Sequence, residues 1–114
     1  MKGLLLLALM LLICCSASWS ESPYEIYWID GGQQLGFNVV NGGYVTRILE
    51  PREVSSNQGF ISVYACPKNS CAYYYIDKKR DHAFAGAKEF VFGPYEKSTF
   101  KELQEDLSLP ELEL

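Results

Sequence analysis

The sequence predicts a mainly β protein: a small antiparallel β-sandwich or barrel of about six strands built from hairpins, with one disulfide and a short amphipathic C-terminal helix. Three observations carry this reading. Apolar and polar residues alternate with a period of two, punctuated by turn dipeptides, until about residue 95. Aromatic residues, which suit the pleated surface of a strand, number Tyr 8, Phe 6 and Trp 2 in 114 residues. Two cysteines, Cys66 and Cys71, flank the clearest hairpin in the chain.

The chain opens on a leader. Lys2 is followed by an apolar run from Leu4 to Cys15 and by small residues at Ser16, Ala17, Ser18 and Ser20. This is the pattern of a secretory signal peptide over residues 1–20, with cleavage after Ala17, Ser18 or Ser20. The run is too short to span a hydrocarbon core, and no basic stop-transfer cluster follows it. The expected product is therefore secreted, extracellular and free of a membrane span. Cys14 and Cys15 leave with the leader, so Cys66 and Cys71 remain as one pair in an oxidising compartment. The formal net charge of −4 becomes one unit more negative once Lys2 is gone. An acidic chain disfavours nucleic acid and anionic membranes as partners.

A single β-rich domain is expected over residues 21–107. Tyr24 to Ile29 reads as a strand, Asp30-Gly31 as a hairpin turn and Gln33 to Val40 as the second strand. Asn41-Gly42 reads as the next turn and Tyr44 to Glu50 as the third strand. That loop sets Val39 opposite Tyr44, Phe37 opposite Thr46 and Leu35 opposite Ile48. Pro51 to Gly59 reads as a polar loop, because Pro51 and Ser55-Ser56-Asn57 are poor strand formers.

Phe60 to Cys66 and Cys71 to Asp77 form the central hairpin. Setting Cys66 opposite Cys71 pairs Tyr64 with Tyr73, Ser62 with Tyr75 and Phe60 with Asp77 on one face. The other face pairs Ala65 with Ala72, Val63 with Tyr74 and Ile61 with Ile76, and is the natural core face. Opposed residues of this kind lie within disulfide reach, so Cys66 and Cys71 are expected to bridge. Their spacing is not that of a redox or zinc motif.

Beyond a charged turn at Lys78-Lys79-Arg80-Asp81, a last strand is expected at Glu89 to Phe92, ended by Gly93-Pro94. Thr99 and Glu102 have capping-box spacing, which starts a helix over about residues 99–107 with Phe100, Leu103 and Leu107 on one face. Residues 108–114 read as an acidic tail.

Chemistry has few places to reside. His82 is the single histidine, and no nucleophile motif accompanies it. Neither Gly31-Gly32 nor Gly42-Gly43 opens a helix as a phosphate cradle does, so no cofactor is expected. Asp77, Asp81 and His82 are a poor cation site beside three basic residues, so no metal is expected either. The function that fits best is a non-catalytic binding module for an extracellular protein or carbohydrate. Its candidate face is aromatic and comprises Tyr64, Tyr73 and Tyr75, extended by Tyr27 or Trp28. Two alternatives stand beside it. One is a secreted precursor cleaved at Lys78-Lys79-Arg80, and the other is a small secreted hydrolase with an unlocated carboxylate site.

Overall fold

The computed structural model describes residues 19–39 and 42–113, and within them places eight strands and one α-helix. In chain order these are β1 (Ser20–Glu21), β2 (Tyr24–Ile29), β3 (Gly32–Val39), β4 (Gly43–Leu49), β5 (Pro51–Ser56), β6 (Phe60–Ala65), β7 (Ala72–Asp77), β8 (Val91–Tyr95) and α1 (Lys97–Leu107). The leader and its cleavage positions lie outside the described residues, as do Val40 and Asn41. The strands form two antiparallel four-stranded sheets in the simple orders β1-β2-β3-β4 and β5-β6-β7-β8. Every strand thus pairs with its neighbour in sequence, and Glu50 alone separates the two sheets along the chain.

The core lies between the sheets. Tyr24, Leu35, Phe37 and Ile48 of the first meet Ile61, Val63, Ala65 and Ile76 of the second, all buried. Trp19, two residues ahead of the expected domain start, also packs here, and its carbonyl accepts a hydrogen bond from the Ile26 amide at 3.1 Å. The opposite face of the second sheet carries a separate cluster. Tyr75, Phe100 and Leu109 are buried in it, with Phe60, Tyr73, Phe92 and Tyr95 around them.

The central hairpin has the register expected of it. Tyr64 pairs with Tyr73, Val63 with Tyr74, Ser62 with Tyr75 and Ile61 with Ile76. Cys66 and Cys71 are disulfide-bonded. Between them Lys68 and Asn69 take positive φ of 53° and 66° to bring the chain round.

Five local expectations are corrected. The segment 51–59 is a strand followed by a turn, not a loop: β5 pairs along β6. Pro51 is tolerated because it is the first residue of an edge strand, where its missing amide donor is not needed. Asn57 makes the turn, its Oδ1 accepting from the Gly59 and Phe60 amides at 3.0 and 2.9 Å. The last strand does not stop at Gly93-Pro94 but runs through it to Tyr95, since β8 is also an edge. The irregular pairing there needs Gly93, whose φ is 129° and where a Cβ would lie 2.7 Å from the Tyr73 carbonyl oxygen.

The helix starts three residues earlier than a capping box at Thr99 implies, at Lys97, with Glu96 as N-cap and no side-chain cap. Thr99 therefore sits inside the first turn, and Leu107 points outward while Phe100 is buried. Residues 108–113 are packed instead of trailing free. Ser108 turns the chain with φ 57°, Asn57 Nδ2 donates to its carbonyl at 2.8 Å, and Leu109 enters the outer cluster.

The fifth correction is the β3–β4 register. Leu35 does pair with Ile48, but a bulge between Leu35 and Gly36 then sets Phe37 opposite Val45 and Val39 opposite Gly43. Val45 and Ile48 are three apart, so strict alternation cannot turn both toward the core. The bulge reconciles them by taking Arg47 out of the ladder.

Candidate functional site

The bulge carries Arg47 inward. Its side chain is 1% exposed and forms an ion pair with Asp81, also 1% exposed. The pairing is two-pronged: Nε donates to Oδ2 and Nη2 to Oδ1, each at 3.0 Å. Nη2 also donates to the His82 carbonyl at 3.0 Å, and the guanidinium lies over the Phe37 ring, 5.3 Å from its centre. Asp81 accepts further bonds from the Tyr24 hydroxyl at 2.8 Å and the His82 amide at 2.9 Å. Arg47 Nη1 is buried with no partner among the described residues.

Burial, and then the bond to the Asp81 carboxylate, push the Tyr24 hydroxyl well above the usual tyrosine range. The unfolded chain releases this proton near pH ~10, whereas the folded chain retains it. Above that pH the folded state binds more protons than the unfolded one, so stability is full below the ordinary tyrosine pKa and declines as the pH rises past it. Tyr73, Tyr74 and Tyr75 are raised by burial, and Tyr44 mainly by its bond to Glu25; they act in the same direction. Melting temperatures taken from about pH 8 to about pH 11 are expected to fall, with a shallower slope in Tyr24→Phe. A flat profile would contradict the assignment.

The tyrosines expected to share a face do so, but they are not a free surface. Helix α1 lies on them: Phe100 stacks on Tyr73 with ring centres 5.3 Å apart, and Tyr75 is 9% exposed beneath Phe92 and Tyr95. Tyr64 is half-buried against Tyr73. Trp28 is not brought to this group. It is 64% exposed near the end of β2, in the other sheet.

The uncovered aromatic surface is the outer face of the first sheet. Tyr27 of β2 and Tyr44 of β4 stack face to face across β3, with ring centres 4.2 Å apart and planes 18° from parallel. They can meet because Gly36 lies between them; a Cβ there would sit 2.3 Å from Tyr27 Cε1. The Tyr27 hydroxyl bonds Thr46 Oγ1 at 2.8 Å, and Thr46 in turn donates to Gln34 Oε1 at 2.6 Å. The Tyr44 hydroxyl donates to the Glu25 carboxylate. Ile29, Leu49 and Tyr44 are 44%, 42% and 40% exposed on this face. The β3–β4 register expected from the turn would have put Tyr44 beside Val39 on the core side. The bulge shifts it by one residue and so turns it outward.

Of the basic run, Lys78 is held by Glu21 and by the Asn57 carbonyl at 2.6 Å, while Lys79 and Arg80 are exposed. Arg80 lies over Phe90, 5.5 Å from its ring centre. Strand β8 and helix α1, which follow the run, pack on the same sheet as the strands before it. His82 is exposed, its Nδ1 accepting from the Phe84 amide at 3.2 Å. Among the described residues no group of His, Cys, Asp and Glu is placed to hold a metal ion, and no helix is long and apolar enough to cross a membrane. Comparison with protein-family models, curated proteins and solved structures gives no match.

Proposed function

We propose that the chain is a secreted, non-catalytic module that binds an extracellular glycan through the outer face of its first sheet. The observation that carries this reading is the Tyr27–Tyr44 stack, which lies uncovered and is fixed by hydrogen bonds at both hydroxyls. A sugar offers flat patches of C–H groups bordered by hydroxyls. The exposed side of Tyr44 suits the patches, and Glu25, Gln34 and Thr46 supply acceptors and donors already held in place. Tyrosine also loses little conformational freedom on binding, and less still when its ring is clamped beforehand. The hairpin disulfide suits a domain of this size in an oxidising compartment.

The test is a glycan array and a pull-down from extracellular material using the secreted chain, with Tyr44→Ala and Tyr64→Ala variants. Tyr44 is on the surface, so its removal spares the core. Tyr44→Ala is expected to weaken glycan capture by about tenfold or more, as for an aromatic anchor, while Tyr64→Ala retains it. Loss with Tyr64→Ala alone would return the site to the second sheet. Capture of a protein and no glycan would keep the surface and replace the ligand class.

A further inference from the structure

The two sheets are tied on one side, where Ser56 of β5 and Lys78 both bond Glu21 of β1. On the other side the edge strands β4 and β8 stand apart, and a cleft of about 410 Å³ opens between them. That volume lies in the range of small-molecule sites, about 300–1,000 Å³. Its walls are mainly apolar, with Ile48 and Leu49 from β4 facing Val91 from β8, and Tyr74 and Pro67 closing the rest. Among the described residues, two cations line it, Arg47 and Lys88, and no acid does. In a chain of net charge −4 that selection is opposite to the average surface.

Arg47 adds a chemical demand. Asp81 and the His82 carbonyl occupy its Nε and Nη2, which locks the guanidinium in place. Nη1 remains a buried donor without an acceptor. Such a group costs free energy until an acceptor reaches it. A carboxylate is the acceptor that guanidinium geometry matches best, and Lys88, exposed at the cleft, supplies the net positive charge that Asp81 cancels on Arg47.

We propose that this cleft binds a small amphipathic carboxylate, its head group on Arg47 and Lys88 and its hydrocarbon part against Ile48, Tyr74 and Val91. The cleft borders the Tyr27–Tyr44 surface at Thr46 and Leu49, but its head-group residues Arg47 and Lys88 take no part in that surface, so Tyr44→Ala tests the one reading and Lys88→Glu the other. Titration calorimetry on the secreted chain, with decanoate, decanol and decyltrimethylammonium below their micelle concentrations, tests it. One decanoate per chain is expected, with decanol weaker by about tenfold or more and the ammonium weaker still, as one charge-assisted hydrogen bond requires. Lys88→Glu should weaken decanoate by about tenfold and leave decanol unchanged. Val91→Trp, which fills the cleft, should abolish both. Equal affinity for decanoate and decanol, unchanged binding in Lys88→Glu, or no binding of decanoate at all would overturn the proposal. Lys88 is on the surface, so that variant decides the matter even where Val91→Trp fails to fold.

Discussion

Replacing Asp81 by alanine is expected to lower the unfolding free energy by about 3–5 kcal/mol, the cost of leaving a buried charge without its counter-ion. Total stabilities of small domains are of order 5–15 kcal/mol, so this loss alone brings the chain close to unfolding. The effect is large because Asp81 is the shared acceptor of a cluster. Arg47 Nε and Nη2, the Tyr24 hydroxyl and the His82 amide all bond its carboxylate. Arg47 cannot find substitutes, being 2% exposed and already short of one acceptor at Nη1. Asp81→Asn keeps the shape and an acceptor oxygen but not the charge, and should fall between the parent chain and Asp81→Ala. The pair has no such claim on stability as a pair. In Arg47→Met/Asp81→Leu both charges leave together, and apolar replacements of buried ion pairs are often neutral. Urea denaturation of the four proteins tests this. The double variant should be more stable than Asp81→Ala; a double variant no more stable than Asp81→Ala, or an Asp81→Ala variant within about 1 kcal/mol of the parent, would contradict the account.

What the sequence reveals and what it hides divide at that cluster. The β6–β7 hairpin is readable because Phe60 to Cys66 and Cys71 to Asp77 are runs rich in strand-forming aromatic and β-branched residues, and the two cysteines fix the register between them. The β3–β4 hairpin is misread because its turn and its apolar pattern give different registers. Asn41-Gly42 proposes a two-residue loop, whereas the ladder sets Val45 beside Phe37 and Ile48 beside Leu35, positions of opposite parity on β4 that share the inner side of the sheet. Burial outweighs the turn preference, and a bulge absorbs the odd residue. That spacing was the available signal, and with it Tyr44 moves from the core side to the outer face. Asp81, four residues after Asp77 in a charged turn, carries no local mark of its partner, because Arg47 reaches it only through tertiary packing. Similarly, Pro51 and Gly93-Pro94 read as strand breakers, but they mark edges here, and edge position depends on strand order. The three tyrosines on one face were legible from alternation. What covers them was not, since the docking of α1 depends on Phe100, Leu103 and a returning tail.

The other large effect is expected from Phe100→Ala. Phe100 is 2% exposed, stacks on Tyr73 and is the fully buried residue of α1. Truncating a buried phenylalanine costs about 3–5 kcal/mol. Here the loss should be spent locally instead of unfolding the whole domain. Phe100 belongs to the outer cluster with Tyr75 and Leu109, while Ile61, Val63 and Ile76 belong to the core between the sheets. Helix α1 takes no part in that core, and its returning tail is tied to the second sheet by buried Leu109, by the Asn57 bond to the Ser108 carbonyl and by the Glu113 amide donating to the Glu53 carboxylate. Hydrogen exchange should therefore show amides 97–107 losing protection while those of β6 and β7 keep most of theirs. Release of the helix bares Tyr73 and Tyr75, so the variant should also bind a hydrophobic dye and self-associate at high concentration, as a newly exposed aromatic patch does. Equal loss of protection in helix and sheets, with a single collapsed melting transition, would mean that the two clusters form one cooperative unit. Retained protection in α1 would mean that the returning tail, and not Phe100, anchors the helix.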